Sequence, residues 1–229
     1  METLVTLKVS LVLCLDMTES ETKQRIQKGA HDLVMHYGIR SVSMDDIAAN
    51  LGISKKTIYH YFKDKDDLIE AVVDEVIATN ELACSEDISK SENAVHEIFL
   101  AMDMMAEMFK TMNPTILHDM QKYHPAAFLK FLKHKNDFLY NVCIKNLERG
   151  IKEDLYRSEI VLDLIGRYRV ETMFIPFKPD FQHSVQHSLA KIEEEILIHF
   201  LFGLVSLKGY HLIIKYRQQQ TQLMTNNKK

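Results

Sequence analysis

From Thr22 onward, apolar residues recur at steps of three and four. Ile26, Ala30, Leu33, Val34 and Tyr37 fall on one stripe, the spacing of a helix with a single buried face. Gly38 ends it, since glycine takes the left-handed conformation that helix termini often require. The pattern restarts in "SVSMDDIAANLG". There Ser43 is placed to cap a second helix, Asp45 and Asp46 sit near the positive end of its dipole, and Ile47, Ala48 and Leu51 face inward. Gly52 stops that helix, and Ser54 caps a third, running from Lys55 to about Phe62. Two short helices about a glycine-containing turn form the helix-turn-helix pattern, and the small side chain of Ala48 lets them cross closely. Leu68, Ile69, Val72, Val73, Val76 and Ile77 extend a longer fourth helix to about Leu82.

After "SEDISKSEN" the spacing predicts helices over about 92–112, 114–123, 125–149, 160–174 and 185–205, then a short last one in "SLKGYHLIIKYRQQQ". Pro114, Pro125, Pro176 and Pro179 mark breaks, and the polar tail 219–229 is expected to fray. The predicted fold is all-α. An N-terminal three-helix helix-turn-helix domain, 18–82, is joined by the fourth helix to a larger helical domain, 83–218. Only 7 Gly and 4 Pro in 229 residues support helices over a sandwich or a βαβ fold.

The net charge of −4 excludes a broadly basic coat for nucleic acid but not a local basic patch. Cys14, Cys84 and Cys143 are far apart and lack C-x-x-C spacing, so a disulfide framework or cysteine zinc site is not expected and a reducing cytoplasm is. Leu4 to Leu15 is apolar but too short to span a bilayer, and it lacks the basic start and cleavage site of a signal peptide. Residues 1–17 are therefore expected to be an N-terminal extension. Met17 is an alternative start that would place 1–16 outside the native protein.

"SKKTIYHYFKDKDDL" holds the densest chemistry. Ile58 and Phe62 share a face and can both be core. Tyr59, His60 and Tyr61 cannot all join them, because successive residues are about 100° apart. Lys55 and Lys56 at a helix N-terminus oppose the dipole unless an anion is present, and a DNA phosphate would supply one. On the second helix of such a unit, Lys55, Lys56, Thr57 and His60 are candidates for base edges. Tyr59, Tyr61 and Lys65 are candidates for the flanking backbone, with Ser43 and Ser54 at the helix starts. The alternative is an ordinary solvated helix.

The run "SVSMDDIAANLGISKKTIYHYFKDKDDLIEAVV" resembles the N-terminal DNA-binding domain of the TetR family of bacterial transcriptional regulators. The matched features are I-A-x-x-L-G-I-S at Ile47–Ser54, T-I-Y-x-Y-F at Thr57–Phe62 and K-x-x-L at Lys65–Leu68. The resemblance covers about 22–81. It implies a homodimer reading a palindromic operator in double-stranded DNA, with the larger domain binding an effector and pairing subunits through its last two long helices. Ile160, Leu164, Ile192, Ile196, Phe200 and Gly203 are the interface candidates, although the stripe they form could equally be buried within one chain. "HPAAFLKFLKHKNDFLYNVCIKNLERGIKEDLYRSEI" resembles the family's long seventh helix and following turn, with Asp154 where many relatives carry glycine.

A small-molecule effector is likewise implied by the resemblance. Met105, Met108 and Met112 share a helix face suited to an apolar pocket, or equally to a core. Polar groups able to orient a ligand are His118, Tyr123, His124, Tyr140, Arg167, Tyr168 and Arg169. His183 and His187 have the spacing of two metal ligands but no third, so a surface or capping role is expected and no cofactor or metal. The expected function is a cytoplasmic, ligand-responsive repressor without catalysis and without membrane association. The competing reading is a helical interaction or lipid-carrier protein whose helix-turn-helix is only structural.

Overall fold

The computed structural model describes residues 19–226, and the expected extension 1–17 lies outside them. The helices run α1 (Glu19–Tyr37), α2 (Met44–Leu51), α3 (Lys55–Tyr61), α4 (Lys65–Lys90), α5 (Ala94–Phe109), α6 (Ile116–Tyr123), α7 (Pro125–His134), α8 (Tyr140–Lys152), α9 (Leu162–Thr172), α10 (Pro179–Ser184), α11 (Leu189–Leu204) and α12 (Leu207–Asn226). The all-α architecture is as expected: a three-helix unit, a connecting fourth helix and a larger helical assembly. Among the described residues the only extended pairing is a bridge between Tyr156 and Val205.

Two apolar clusters hold the chain. In the first, Ile26, Ala30 and Val34 of α1 meet Ile47 of α2, Ile58 and Phe62 around α3, and Leu68, Ile69 and Val72 of α4; it continues into Phe109, Ile116, Met120 and Phe177. The second gathers Val95, Phe99, Leu147, Leu155, Tyr156, Leu197, Leu201 and Ile213 at the far end. There the Tyr156 hydroxyl donates to the Asn146 side-chain oxygen at 2.9 Å, and Arg149 joins Glu97 and Glu153 at 2.9 and 2.7 Å.

Between these ends, polar contacts tie the three-helix unit and α4 to the rest. The Asn113 N–H donates to the Met35 carbonyl at 2.6 Å, and the Arg40 N–H to Asp119 at 3.2 Å. Along α4, Asp66 faces His124 at 2.6 Å, Glu70 and Asp74 share Lys130 at 3.2 and 2.7 Å, and Glu81 faces His134 at 3.2 Å.

Several boundaries differ from the periodicity. α4 runs to Lys90 rather than Leu82. "SEDISK" holds no glycine or proline, Lys90 pairs with Glu86 one turn back, and the Ser85 and Ser89 hydroxyls fold back onto helix carbonyls. The 125–149 helix is interrupted by a π-helical stretch at Lys135–Leu139. α12 continues to Asn226 through the segment expected to fray, with Gln220 donating to Asp103 at 2.8 Å. Asp154 adopts φ 56°, so it occupies the left-handed position that glycine fills most easily.

Candidate nucleic-acid interface and effector cavity

The helix-turn-helix is built from reciprocal caps. Ser43 accepts from the Asp46 N–H at 3.2 Å, and Asp46 accepts from the Ser43 N–H at 2.8 Å, a capping box that starts α2. These bonds, together with the hydrogen bond from the Ser43 hydroxyl, hold the Asp46 carboxyl below its ordinary pKa. Gly52 closes α2 at φ 65°, and the Ile53 N–H returns to the Ala48 carbonyl at 3.0 Å. Ser54 then accepts from the Thr57 N–H at 3.0 Å and begins α3.

On α3, Ile58 is wholly buried and Phe62 just beyond it nearly so. That anchoring turns Lys55, Lys56, Tyr59 and His60 outward, all exposed, with Thr57 half-buried between them. Lys55 Nζ lies 2.8 Å from Asp45, which raises its pKa, and 6.0 Å from the Tyr59 ring centre. Two expected backbone contacts are placed differently. Tyr61 is half-buried against the core, stacked edge-on to His60. Lys65 is half-buried and donates to the Ile39 carbonyl at 2.5 Å, and burial lowers its pKa. Ser43 and Ser54 are exposed but spend their side chains as caps. What remains facing solvent is a short surface of ammonium, imidazole and phenol groups, donors suited to phosphate oxygens and base edges.

The expected ligand residues do not converge. Met105, Met108 and Met112 are half-buried and pack on the first core. His118 and Tyr123 are exposed. His124 is buried beside Asp66, and Arg167 lies 3.9 Å from the ring centre of half-buried Tyr140. Tyr168 is exposed, with its ring 6.2 Å from that of Phe200. Instead, a cavity of about 60 Å³ opens between α4, α5, α8, α9 and α11, with walls of Ile88, Ile98, Val142, Leu147 and Phe200. Arg169 and Asp87 supply polar atoms to it, and Cys84 and Cys143 supply thiols that burial pushes up to about 11. Of the polar groups expected to orient a ligand, Arg169 alone reaches this cavity. Its Nη2 donates to Glu193 at 2.8 Å with both side chains buried, while Arg169 Nη1 and Glu193 Oε2 have no hydrogen-bond partner. Burial raises the Glu193 pKa against the pull of Arg169. No local sequence signal marks Cys84, Asp87 or Ile88, because α4 was expected to end before them.

The interface candidates divide. Leu164 and Gly203 are exposed, Ile160 and Ile196 half-buried, and Ile192 and Phe200 buried within the chain. Val161, Tyr168, Phe202, Leu207 and Tyr210 add exposed apolar groups on α9, α11, α12 and the turns beside them. His183 ends α10 and His187 lies beyond it, so the two do not share a helical turn. Among the described residues no helix is long and apolar enough to cross a membrane.

A family model described as bacterial regulatory proteins, tetR family, matches residues 26–72. The HTH-type transcriptional regulator SAB2452 of Staphylococcus aureus (strain bovine RF122 / ET3-1) is 31% identical over 181 residues, 76% of this chain and 87% of that protein. The chain belongs to the TetR family. A further relative, the uncharacterized HTH-type transcriptional regulator YvaF of Bacillus subtilis (strain 168), is 35% identical over 125 residues, 51% of this chain and 65% of its own length. The fold of a TetR-family transcriptional regulator from Agrobacterium tumefaciens is similar, with TM-score 0.69 at 17% identity over 82% of this chain and 99% of that one. That of reduced NemR from E. coli is similar at TM-score 0.66, 13% identity, and 81% and 98% coverage. The TetR-family chain described here is a DNA-binding transcriptional regulator, and α2 and α3 form its helix-turn-helix.

Proposed function

We propose that this regulator is a cytoplasmic homodimeric repressor that reads a palindromic operator through α3 and leaves it when a small molecule enters the larger domain. The observation that carries the reading is the division of α3. Ile58 and Phe62 anchor it to the core while Lys55, Lys56, Tyr59 and His60 stay exposed together. A mildly acidic chain gains enough phosphate contacts by presenting two such surfaces, one per subunit, to successive major grooves.

The ligand response is supported by α4. Its first turns pack Leu68, Ile69 and Val72 into the helix-turn-helix core, and its last turns line the cavity with Cys84, Asp87 and Ile88. A molecule that fits the cavity in only one position of α4 shifts the population of DNA-binding geometries. Pairing of subunits is supported by the exposed apolar groups Leu164, Tyr168 and Phe202, with open space over Gly203 that lets a partner helix approach.

Selection of bound fragments from the source genome tests the reading. Recovery of an inverted repeat with half-sites about one helical turn apart, or a multiple of it, is the expected result. Recovery of no preferred sequence, with the protein folded, would return the helix-turn-helix to a structural role in an interaction or carrier protein.

A further inference from the structure

The cavity between α4 and α9 is a built site rather than a packing flaw. Its walls are almost entirely apolar, yet a guanidinium that is only 2% exposed reaches it with Nη1 unpartnered. Buried donors are nearly always satisfied, so an orphan here is a free valence awaiting an acceptor. Asp87 Oδ2, also buried and unpartnered, offers the complementary valence on α4.

Charge then narrows the occupant. Arg169 is already balanced by Glu193 at 2.8 Å, and Glu97 by Arg149 at 2.9 Å. Asp87 is left as the uncompensated charge of the lining. A carboxylate entering these walls would bring a second negative charge beside it, and a cation would face the guanidinium. Both thiols lie in the same lining and are held neutral by burial, so they act as apolar wall and not as nucleophiles toward an incoming molecule.

We propose that this cavity takes a small uncharged molecule with an apolar body, whose carbonyl oxygen accepts from Arg169 Nη1 and whose N–H or O–H donates to Asp87. The proposal rests on the ligand-responsive reading above and specifies the class of effector. A volume of about 60 Å³ admits a compact ring or the head of a longer molecule, which sets the size of the probes.

The test uses the full chain and three ring-matched probes followed by NMR shifts of the Arg169 side chain and the Val142 methyls. The probes are 2-piperidone, N-methyl-2-piperidone and cyclopentanecarboxylate. The lactam is expected to bind at least tenfold more tightly than the carboxylate, and the N-methyl form several-fold more weakly than the lactam. Arg169→Met with Glu193→Met, which removes both members of the buried pair together, should abolish the preference for the lactam over the carboxylate. Asp87→Leu should make the two lactams equal. A carboxylate that binds as tightly as the lactam, unchanged affinities in the double variant, or no response to any probe would each overturn the proposal. Operator affinity is measured separately. Release of DNA by a carboxylate in the cavity keeps the ligand-responsive reading and removes this class, whereas lactam binding with operator affinity unaltered keeps the class and removes that reading.

Discussion

Around α2 and α3 each capping side chain finds its partner within three residues: Ser43 with Asp46, Ser54 with Thr57, and Asp64 with the Asp67 N–H. The cations of that region then face solvent. Around the cavity the reverse holds. Arg169 reaches Glu193 across 24 positions, both are buried, and each keeps an atom without a partner. The first region is stable by itself and presents its charge outward, as a surface for a polyanion must. The second holds a free valence inside, where a low dielectric makes each unmet bond costly and each met one selective. One half of the molecule is organised for a large, wet, charged partner and the other for a small, dry, neutral one.

The contrast is broken most severely at the buried pair. Arg169→Ala leaves Glu193 buried without a counterion and is expected to cost about 3–5 kcal/mol in urea unfolding, whereas replacing both by methionine should fall near the wild-type value. On α3 the balance inverts. Lys56→Ala and His60→Ala should each weaken operator binding by about 1–3 kcal/mol, measured by titration of labelled DNA. Both should leave folding stability within about 0.5 kcal/mol, because neither side chain is buried. Removing a cap instead of a cation separates structure from contact: Ser43→Ala should lower stability by about 1 kcal/mol.

Far from both sites, Asp154→Gly relieves a left-handed backbone and should raise stability by about 1 kcal/mol while leaving DNA binding unchanged. The smallest effect is that of pH at the α2 cap. Asp46 titrates below its ordinary value near 3.8 in the folded chain, so its contribution is present above that value and is lost as pH falls through the lower folded one. Asp46→Asn should flatten that part of the stability profile below pH 4, read by circular dichroism.

The same contrast explains what could be read from the sequence. The helix-turn-helix was legible because its determinants are local. Glycines at 38 and 52 take positive φ, serines at 43 and 54 cap, and Ile58 and Phe62 keep helical spacing. The cavity was not, since it joins residues from Cys84 to Phe200 across five helices, and no spacing along the chain encodes that meeting. The methionines show the limit plainly: the stripe Met105, Met108, Met112 fits pocket and core equally well by periodicity, and it packs on the core. Lys65 is a similar case. Its position among lysines and tyrosines pointed to DNA, but only tertiary structure reveals the Ile39 carbonyl that it meets. Phe200 kept the expected helical phase but faces the cavity within its own chain, while Leu164 on α9 faces solvent.

The most direct test is the salt dependence of binding to a selected operator, measured for the wild-type protein and for Lys56→Ala. A dimer reading DNA through exposed α3 cations is expected to lose affinity steeply with salt, with a slope of about −0.9 per phosphate neutralised in log K against log salt, and a shallower slope once Lys56 is removed from both subunits. A slope that is nearly flat, or identical in the variant, would contradict the assignment of that surface to DNA.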